Sequence, residues 1–263
     1  MSELRVAVAG CAFAITPAEE LSGEERATLT RLSSEITSAR VFEIELDDSL
    51  TLGGPPDGEP AAITVEREHV IVSHTRFAAM MHPLGYHARL HRHSNAFAIE
   101  VTLRTALGCR LPLESGLLLH SAGIVIDGGA YLFRGVSGAG KSTLAGFMRD
   151  VLSDELVAVQ HGFARATGFW GTLDSADAVA GSYPLRATIE LARGDGVRLD
   201  ELTAHDARKA LLMVAVVPPH QQLWMHALHV VDSLARLPAF RLAWTPSREN
   251  ADRVVSELRS RIL

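Results

Sequence analysis

Gly135-Val136-Ser137-Gly138-Ala139-Gly140-Lys141-Ser142 reads G-x-x-x-x-G-K-S in full, the pattern of a loop that turns its backbone amides onto phosphate oxygens. Its glycines let the chain approach those oxygens without a Cβ in the way. The preceding Ala130-Tyr131-Leu132-Phe133 is apolar and aromatic enough for a buried strand, and Thr143-Leu144-Ala145-Gly146-Phe147-Met148 can open a helix. Strand, loop and helix in that order are the context in which the motif counts; outside it, the stretch would be an ordinary glycine-rich turn. In that context Gly135, Val136, Ser137, Gly138, Ala139, Gly140, Lys141, Ser142 and Thr143 are expected to cradle the phosphates of a nucleoside triphosphate. Lys141 would reach the β/γ-oxygens, and the Ser142 hydroxyl would serve Mg²⁺.

Two features flank the loop. Upstream, His120 ends the apolar run Leu117-Leu118-Leu119; downstream, Asp154-Glu155 follows Val151-Leu152-Ser153. Apolar residues leading into an acidic pair have the general form of a metal-and-base site beside bound phosphates. One carboxylate can join Ser142 in the Mg²⁺ shell, and one can accept the proton of an attacking hydroxyl. Alone, His120 reads as a hydrogen-bonded core or surface residue and Asp154 as a cap before Leu156; their order about the loop favours chemistry. No N/T-K-x-D guanine reader follows, and neither do the further signatures of a motor or transporter ATPase.

The same residues carry a family resemblance. Leu118-Leu119-His120-Ser121-Ala122-Gly123-Ile124-Val125-Ile126-Asp127-Gly128, then Tyr131-Leu132-Phe133-Arg134-Gly135 with the loop, then Val151-Leu152-Ser153-Asp154-Glu155-Leu156-Val157-Ala158-Val159 resemble the HPr kinase-related proteins. The core of that group is in turn similar to the phosphate-loop region of phosphoenolpyruvate carboxykinases. Tyr183-Pro184-Leu185-Arg186-Ala187-Thr188-Ile189-Glu190-Leu191 and Leu237-Pro238-Ala239-Phe240-Arg241-Leu242 resemble further segments of the group, so the resemblance covers roughly residues 95–263.

The resemblance implies an α/β fold, with a P-loop core of the HPr kinase/PEP carboxykinase kind and a smaller β-rich N-terminal region. It implies His120 as the active-site histidine, Lys141 as the loop lysine and Asp154-Glu155 as the acidic pair, whose second member takes the proton in the family. Relatives usually have two aspartates there, so Glu155 is longer by one methylene and the choice of base stays open. The helix between loop and acids is shorter than in most relatives by about four residues, close to one α-turn, which keeps the same face on the sheet. The asparagine- and glycine-rich C-terminal signature of true HPr kinase/phosphorylases is missing. What the resemblance implies is therefore an ATP- and Mg²⁺-dependent kinase whose acceptor is a serine hydroxyl on a protein or peptide other than HPr. Relatives occur beside genes for ribosomally made modified peptides, lasso peptides among them, which makes peptide tailoring one subcase. Two other readings stand beside it: a nucleotide-binding regulatory or assembly protein with little catalysis, and a small-metabolite kinase.

At 263 residues, 47% hydrophobic and 21% charged, the chain can form one large domain or two modest ones. A formal charge of −6 supplies no positive field for nucleic acid or an anionic membrane. No run approaches the roughly 18–20 apolar residues of a membrane helix. Cys11 and Cys109 are the only cysteines; they form no C-x-x-C pair and read as small buried thiols in a reducing cytosol. A cytoplasmic protein is expected, with homo-oligomerisation left open.

Residues 1–93 are expected to form the β-rich region, suited to partner recognition or assembly, and residues 94–263 the catalytic domain. Strands are expected over 6–14 and 40–46, a helix over 23–36, a hairpin from 62–66 and 69–74, and a C-terminal helix over 248–262. Ser94 is expected to cap a helix running to Leu107 and ended by Gly108. Two apolar runs around Gly123 lead through the Asp127-Gly128-Gly129 turn into the loop strand. His82, His87, His91 and His93 cluster, His87 and His91 on one expected helix face, and read as solvated surface rather than a metal site. His220, His226 and His229 surround Trp224 without assigned chemistry. Arg186 could meet the transferred phosphoryl group but reads better as a surface ion pair.

Overall fold

In a computed structural model, which describes residues 2–34, 40–93, 95–136, 138–173 and 178–262, the chain divides into two units. The first comprises Met1–Glu114 with Val217–Ala227, the second Ser115–Val216 with Leu228–Leu263. The fold is mixed α/β, with a seven-stranded and a nine-stranded sheet. No helix among the described residues is long and apolar enough to cross a membrane.

The first unit begins with β1 (Leu4–Val8) and β2 (Cys11–Thr16). Ala9 and Gly10 between them take φ of 53° and 85°, the pair of positive values whose twist suits a two-residue hairpin turn. The single strand expected over 6–14 is therefore folded back on itself, with Val8 opposite Cys11. β3 (Val41–Leu46), β4 (Ala62–Glu66), β5 (His69–His74), β6 (Phe77–Met81) and β7 (His87–Arg92) complete the sheet in the order β1-β2-β3-β7-β6-β5-β4. The β4–β5 hairpin lies where its alternating sequence places it. His87 and His91 sit on a strand, not a helix: Ala88, Leu90 and Arg92 are buried while His87 is exposed and His91 half-buried, the two-residue alternation of a half-covered sheet.

Helix α1 (Gly23–Leu32) opens with a capping box. The Ser22 hydroxyl accepts from the Glu25 amide at 3.3 Å, and the Glu25 carboxylate accepts from the Ser22 amide at 2.8 Å. The same buried carboxylate pairs with Arg92 Nε at 2.7 Å, so the cap also ties α1 to β7. The helix ends at Leu32 rather than Ile36, which lies outside the described residues. Helix α2 (Ala96–Leu113) is capped by the Asn95 side chain, which accepts from the Phe97 amide at 3.0 Å; Ser94, the expected cap, lies outside the described residues. Gly108 does not end α2. Residues on both sides of it are buried through Pro112, and that packing outweighs the ~1 kcal/mol cost of glycine within a helix. Because α2 packs on α1, β6 and β7, the first unit reaches Glu114 instead of stopping at residue 93.

The second unit contains β8 (Gly116–His120), β9 (Ala122–Ile126), β10 (Gly129–Arg134), β11 (Val151–Ser153), β12 (Leu156–Gln160), β13 (Phe163–Arg165), β14 (Ser182–Arg193), β15 (Val197–Glu201) and β16 (Ala239–Trp244). Its helices are α3 (Lys141–Ala145), α4 (Ala204–Leu212), the last turns of α5 (Gln221–Leu234) and α6 (Arg248–Ile262). Strand β14 serves the sheet twice. Its first residues pair antiparallel with β13; from Leu185 it runs parallel to β10, and from Thr188 parallel to β16 on its other side. Ile124, Tyr131, Phe133, Ile189, Leu191, Leu242 and Trp244 line one face, closed by Leu144 of α3 and Val254 and Leu258 of α6. Every residue of β10 is buried, as its apolar run requires.

Gly123 lets β9 sit close to its neighbours: a Cβ there would lie 2.8 Å from Val157 Cγ2 and 3.1 Å from Leu152 Cβ. Gly123→Ala should lower stability by about 1–3 kcal/mol through overpacking. Denaturant midpoints check this, and adding Val157→Ala should recover part of the loss.

Candidate functional site

The glycine-rich loop leaves the carboxyl end of β10 and enters α3, so the strand–loop–helix order read from the sequence is present. Gly140 holds a left-handed conformation at φ 95°, and a Cβ there would meet the buried Trp244 indole at 3.4 Å. The left-handed backbone is what favours glycine there, since contact with the indole at that distance is ordinary. Val136 is 79% exposed, Thr143 is exposed and Ala139 is buried; Ser137 lies outside the described residues. Lys141 folds back over its own loop, its Nζ donating to Gly135 O at 2.9 Å. Burial pushes the Lys141 ammonium below its ordinary pKa, and the nearby Glu155 carboxylate opposes that shift.

The acidic pair stands in the turn between β11 and β12. Ser153 builds that turn: its hydroxyl donates to Phe169 O at 2.6 Å and accepts from the Glu155 and Leu156 amides, each at 3.0 Å. Asp154 is 2% exposed. Its carboxylate accepts from the amides of Gly171 at 2.8 Å, Thr172 at 3.0 Å and Leu173 at 3.3 Å, and from the Thr172 hydroxyl at 3.3 Å. Burial alone would raise its pKa, but the three amides and the nearby Ser142 hydroxyl together more than offset it and hold Asp154 below the ordinary carboxylate value. Glu155 is half-buried. Gly171 makes room for both acids: a Cβ on it would stand 3.1 Å from Asp154 Oδ2 and 3.1 Å from Glu155 Oε2.

His120 ends β8 with its side chain exposed. Its Cα partner is Leu156, and the next residue, Ser121, donates its amide to Glu155 O at 2.9 Å. The β8–β12 pairing therefore brings His120 beside the acidic turn. Loop, Ser142, Lys141, Asp154, Glu155 and His120 all belong to one unit and converge at one end of its sheet.

Arg186 does not join them. It lies against Gly129, at the start of β10, whereas the loop leaves the end of that strand. Arg193 does: at the far end of β14, its Nη2 donates to Gly138 O at 3.4 Å. Nothing in the local sequence marked Arg193; only the parallel register of β10 and β14 places it there. The segment Thr167-Gly168-Phe169-Trp170-Gly171-Thr172-Leu173 carries a weaker local signal, two glycines around an aromatic pair, the pattern of a tight backbone approach. Among the histidines of the first unit, His87 Nε2 lies 3.4 Å from Glu45, and the His91 and His93 rings meet edge-on at 5.9 Å. Cys11 and Cys109 are both buried, and burial pushes the Cys109 thiol up to about 12.

Among the described residues, no three His, Cys, Asp or Glu side chains gather as a metal cage. Mg²⁺ does not need one, since it is held by one or two carboxylates, a hydroxyl, phosphate oxygens and water. A charged Asp154 near the Ser142 hydroxyl, with no Cβ at Gly171 to crowd it, has that donor chemistry. No protein-family model matches the chain, and no curated protein matches it.

Because its pKa is depressed on folding, Asp154 contributes stability above the ordinary carboxylate value of 3.8 and loses it as pH falls through the lower folded value. Asp154→Asn should accordingly be less stable than the parent at neutral pH, with the gap closing below pH 3.8. Urea unfolding across that range measures it; a gap independent of pH would remove the charged carboxylate from the account.

Proposed function

We propose that this chain is an ATP-dependent kinase that transfers the γ-phosphoryl group to a serine hydroxyl of a protein or peptide. The observation that carries the reading is the approach of the loop to the acidic pair: the Ser142 hydroxyl lies near enough to lower the pKa of the buried Asp154, and Glu155 lies near enough to act on the Lys141 charge. It joins two sequence features about a dozen residues apart into the donor set that Mg·ATP chemistry uses.

On this reading Ser142 and Asp154 hold Mg²⁺, which when bound neutralises charge on the β- and γ-phosphates. Lys141 exchanges Gly135 O for phosphate oxygens, at little conformational cost because its stem is already packed along the loop. The acids divide their labour by environment. Asp154 is committed to the 171–173 amides and the Thr172 hydroxyl and stays ionised, which suits the metal side. Glu155 is half-buried and close enough to Lys141 to act on its charge, and it takes the serine proton. As the serine oxygen bonds to the γ-phosphorus, the bond to the β-bridging oxygen breaks and ADP leaves. His120, one residue from the amide that holds Glu155 O, orients the acceptor or that carboxylate. The work is cytoplasmic, where ATP is supplied, and the first unit is the proposed place for partner recognition.

Glu155→Gln should lower turnover about 10²–10⁴-fold while ATP still binds. Asp154→Asn should instead raise the Mg²⁺ concentration needed, and Lys141→Ala should abolish transfer. Trp244, packed against Gly140, offers a fluorescence readout of ATP binding, and mass spectrometry of serine-bearing partners encoded nearby, with HPr as a control expected to be poor, reads the transfer. Tight ATP binding with no labelled acceptor would favour a nucleotide-binding regulatory protein, and unchanged transfer in all three variants would sink the mechanism.

A further inference from the structure

Arg134 ends β10, one residue before the glycine-rich loop, and it is only 1% exposed. Tyr131 and Phe133 turn to the face closed by α3 and α6, so strand alternation turns Arg134 to the opposite face. We propose that Arg134 is a resident positive charge behind the loop, one that strengthens the binding of a polyphosphate there without touching it. The inference rests on the nucleotide reading of the loop and adds a residue to it.

The guanidinium is poorly matched where it lies. Its Nε and Nη2 are buried and have no hydrogen-bond acceptor among the described residues. Its Nη1 stands 3.8 Å from Glu190, an ion pair beyond hydrogen-bond reach. Glu190 lies closer to Arg241, at 3.3 Å. The three residues form one row across β10, β14 and β16, with Arg134 opposite Glu190 and Glu190 opposite Arg241. Buried guanidinium N–H groups are ordinarily satisfied, and a loosely paired buried charge lowers stability. Burial pushes the Arg134 pKa down to about 10, with Glu190 opposing the shift, so the group stays charged at neutral pH. An unbranched apolar side chain would fill the same space at less cost. Packing alone therefore does not account for an arginine here.

Position accounts for it. Arg134 is bonded to Gly135, the residue whose carbonyl accepts from Lys141 Nζ at 2.9 Å. Both cations are thus anchored at the root of the loop, one through the chain and one through that carbonyl. The loop amides and Lys141 are the groups placed for direct contact with phosphate oxygens. Arg134, out of water, contributes a field that solvent and salt screen weakly. An anion seated on the loop gains from that field in proportion to its own charge.

Calorimetry on the full chain, with ATP and ADP titrated in Mg²⁺, tests this. Arg134→Met should fold with a raised urea midpoint, bind ATP about 5–10-fold more weakly and lose less affinity for ADP, whose complex carries one negative charge fewer. Glu190→Gln removes the counter-charge and should shift ATP affinity the other way, toward tighter binding. Unchanged ATP affinity in Arg134→Met, equal losses for ATP and ADP, or failure of that variant to fold would each overturn the role given to Arg134 while leaving the nucleotide site standing. A parent protein that binds neither nucleotide would overturn the nucleotide reading itself, and this inference with it.

Discussion

A carboxylate that is almost wholly removed from water must find its hydrogen bonds inside the protein, and Asp154 finds them in a segment about seventeen residues away. Consecutive amides of residues 171–173 and the Thr172 hydroxyl supply them, and Ser142, the last residue of the glycine-rich motif, lies near enough to act on the same charge. Leaving such an anion unpaired would cost several kcal/mol, so the positions of the loop residues, the acidic turn and the 171–173 segment are fixed together. Ser153 reinforces the same join from below, bonding Phe169 O on one side and the amides after Asp154 on the other. The site's geometry follows from satisfying one buried charge.

The sheet of the second unit carries that join to the rest of the site. Because β14 runs parallel to β10, the two strands finish at the same edge, and Arg193 meets the loop emerging from β10. The antiparallel pairing of β8 with β12 brings His120 to the beginning of β12, just past Asp154-Glu155. Strand direction thus sorts the basic residues: Arg193 falls at the loop edge, while Arg186, on the same strand, falls at the opposite end against Gly129. Two arginines in one β-strand differ in role by register alone.

What could be read in advance was what short-range chemistry decides. The β4–β5 hairpin, the turn at Asp127-Gly128, the loop between strand and helix, and α6 over Arg248–Ile262 all rest on neighbours in sequence. Failures came where distant packing intervened. Gly108 looked like a stop signal, yet α2 runs through it because both flanks are buried. Ala9-Gly10 was absorbed into an apolar run, since neither neighbour advertises a turn and only the positive φ values separate β1 from β2. His87 and His91 are four apart, a spacing that fits one face of a helix or of a strand; tertiary pairing with β3 and β6 chose the strand. Gly171 and Arg193 were illegible for a stronger reason: their importance lies in what they approach, and those partners are about sixteen to fifty-five residues away.

That the acidic pair is an aspartate followed by a glutamate has a physical sense in this setting. The first position must be short, because Asp154 is enclosed by the 171–173 amides and a longer side chain would overrun them. The second is less covered: Glu155 is half-buried and reaches far enough for its charge to act on Lys141. On the kinase reading, a base needs reach toward the acceptor hydroxyl, whereas a metal-side ligand needs a fixed position and a permanent charge. A longer side chain at the second position is then tolerable. At the first position it would push the carboxylate past the amides that hold it.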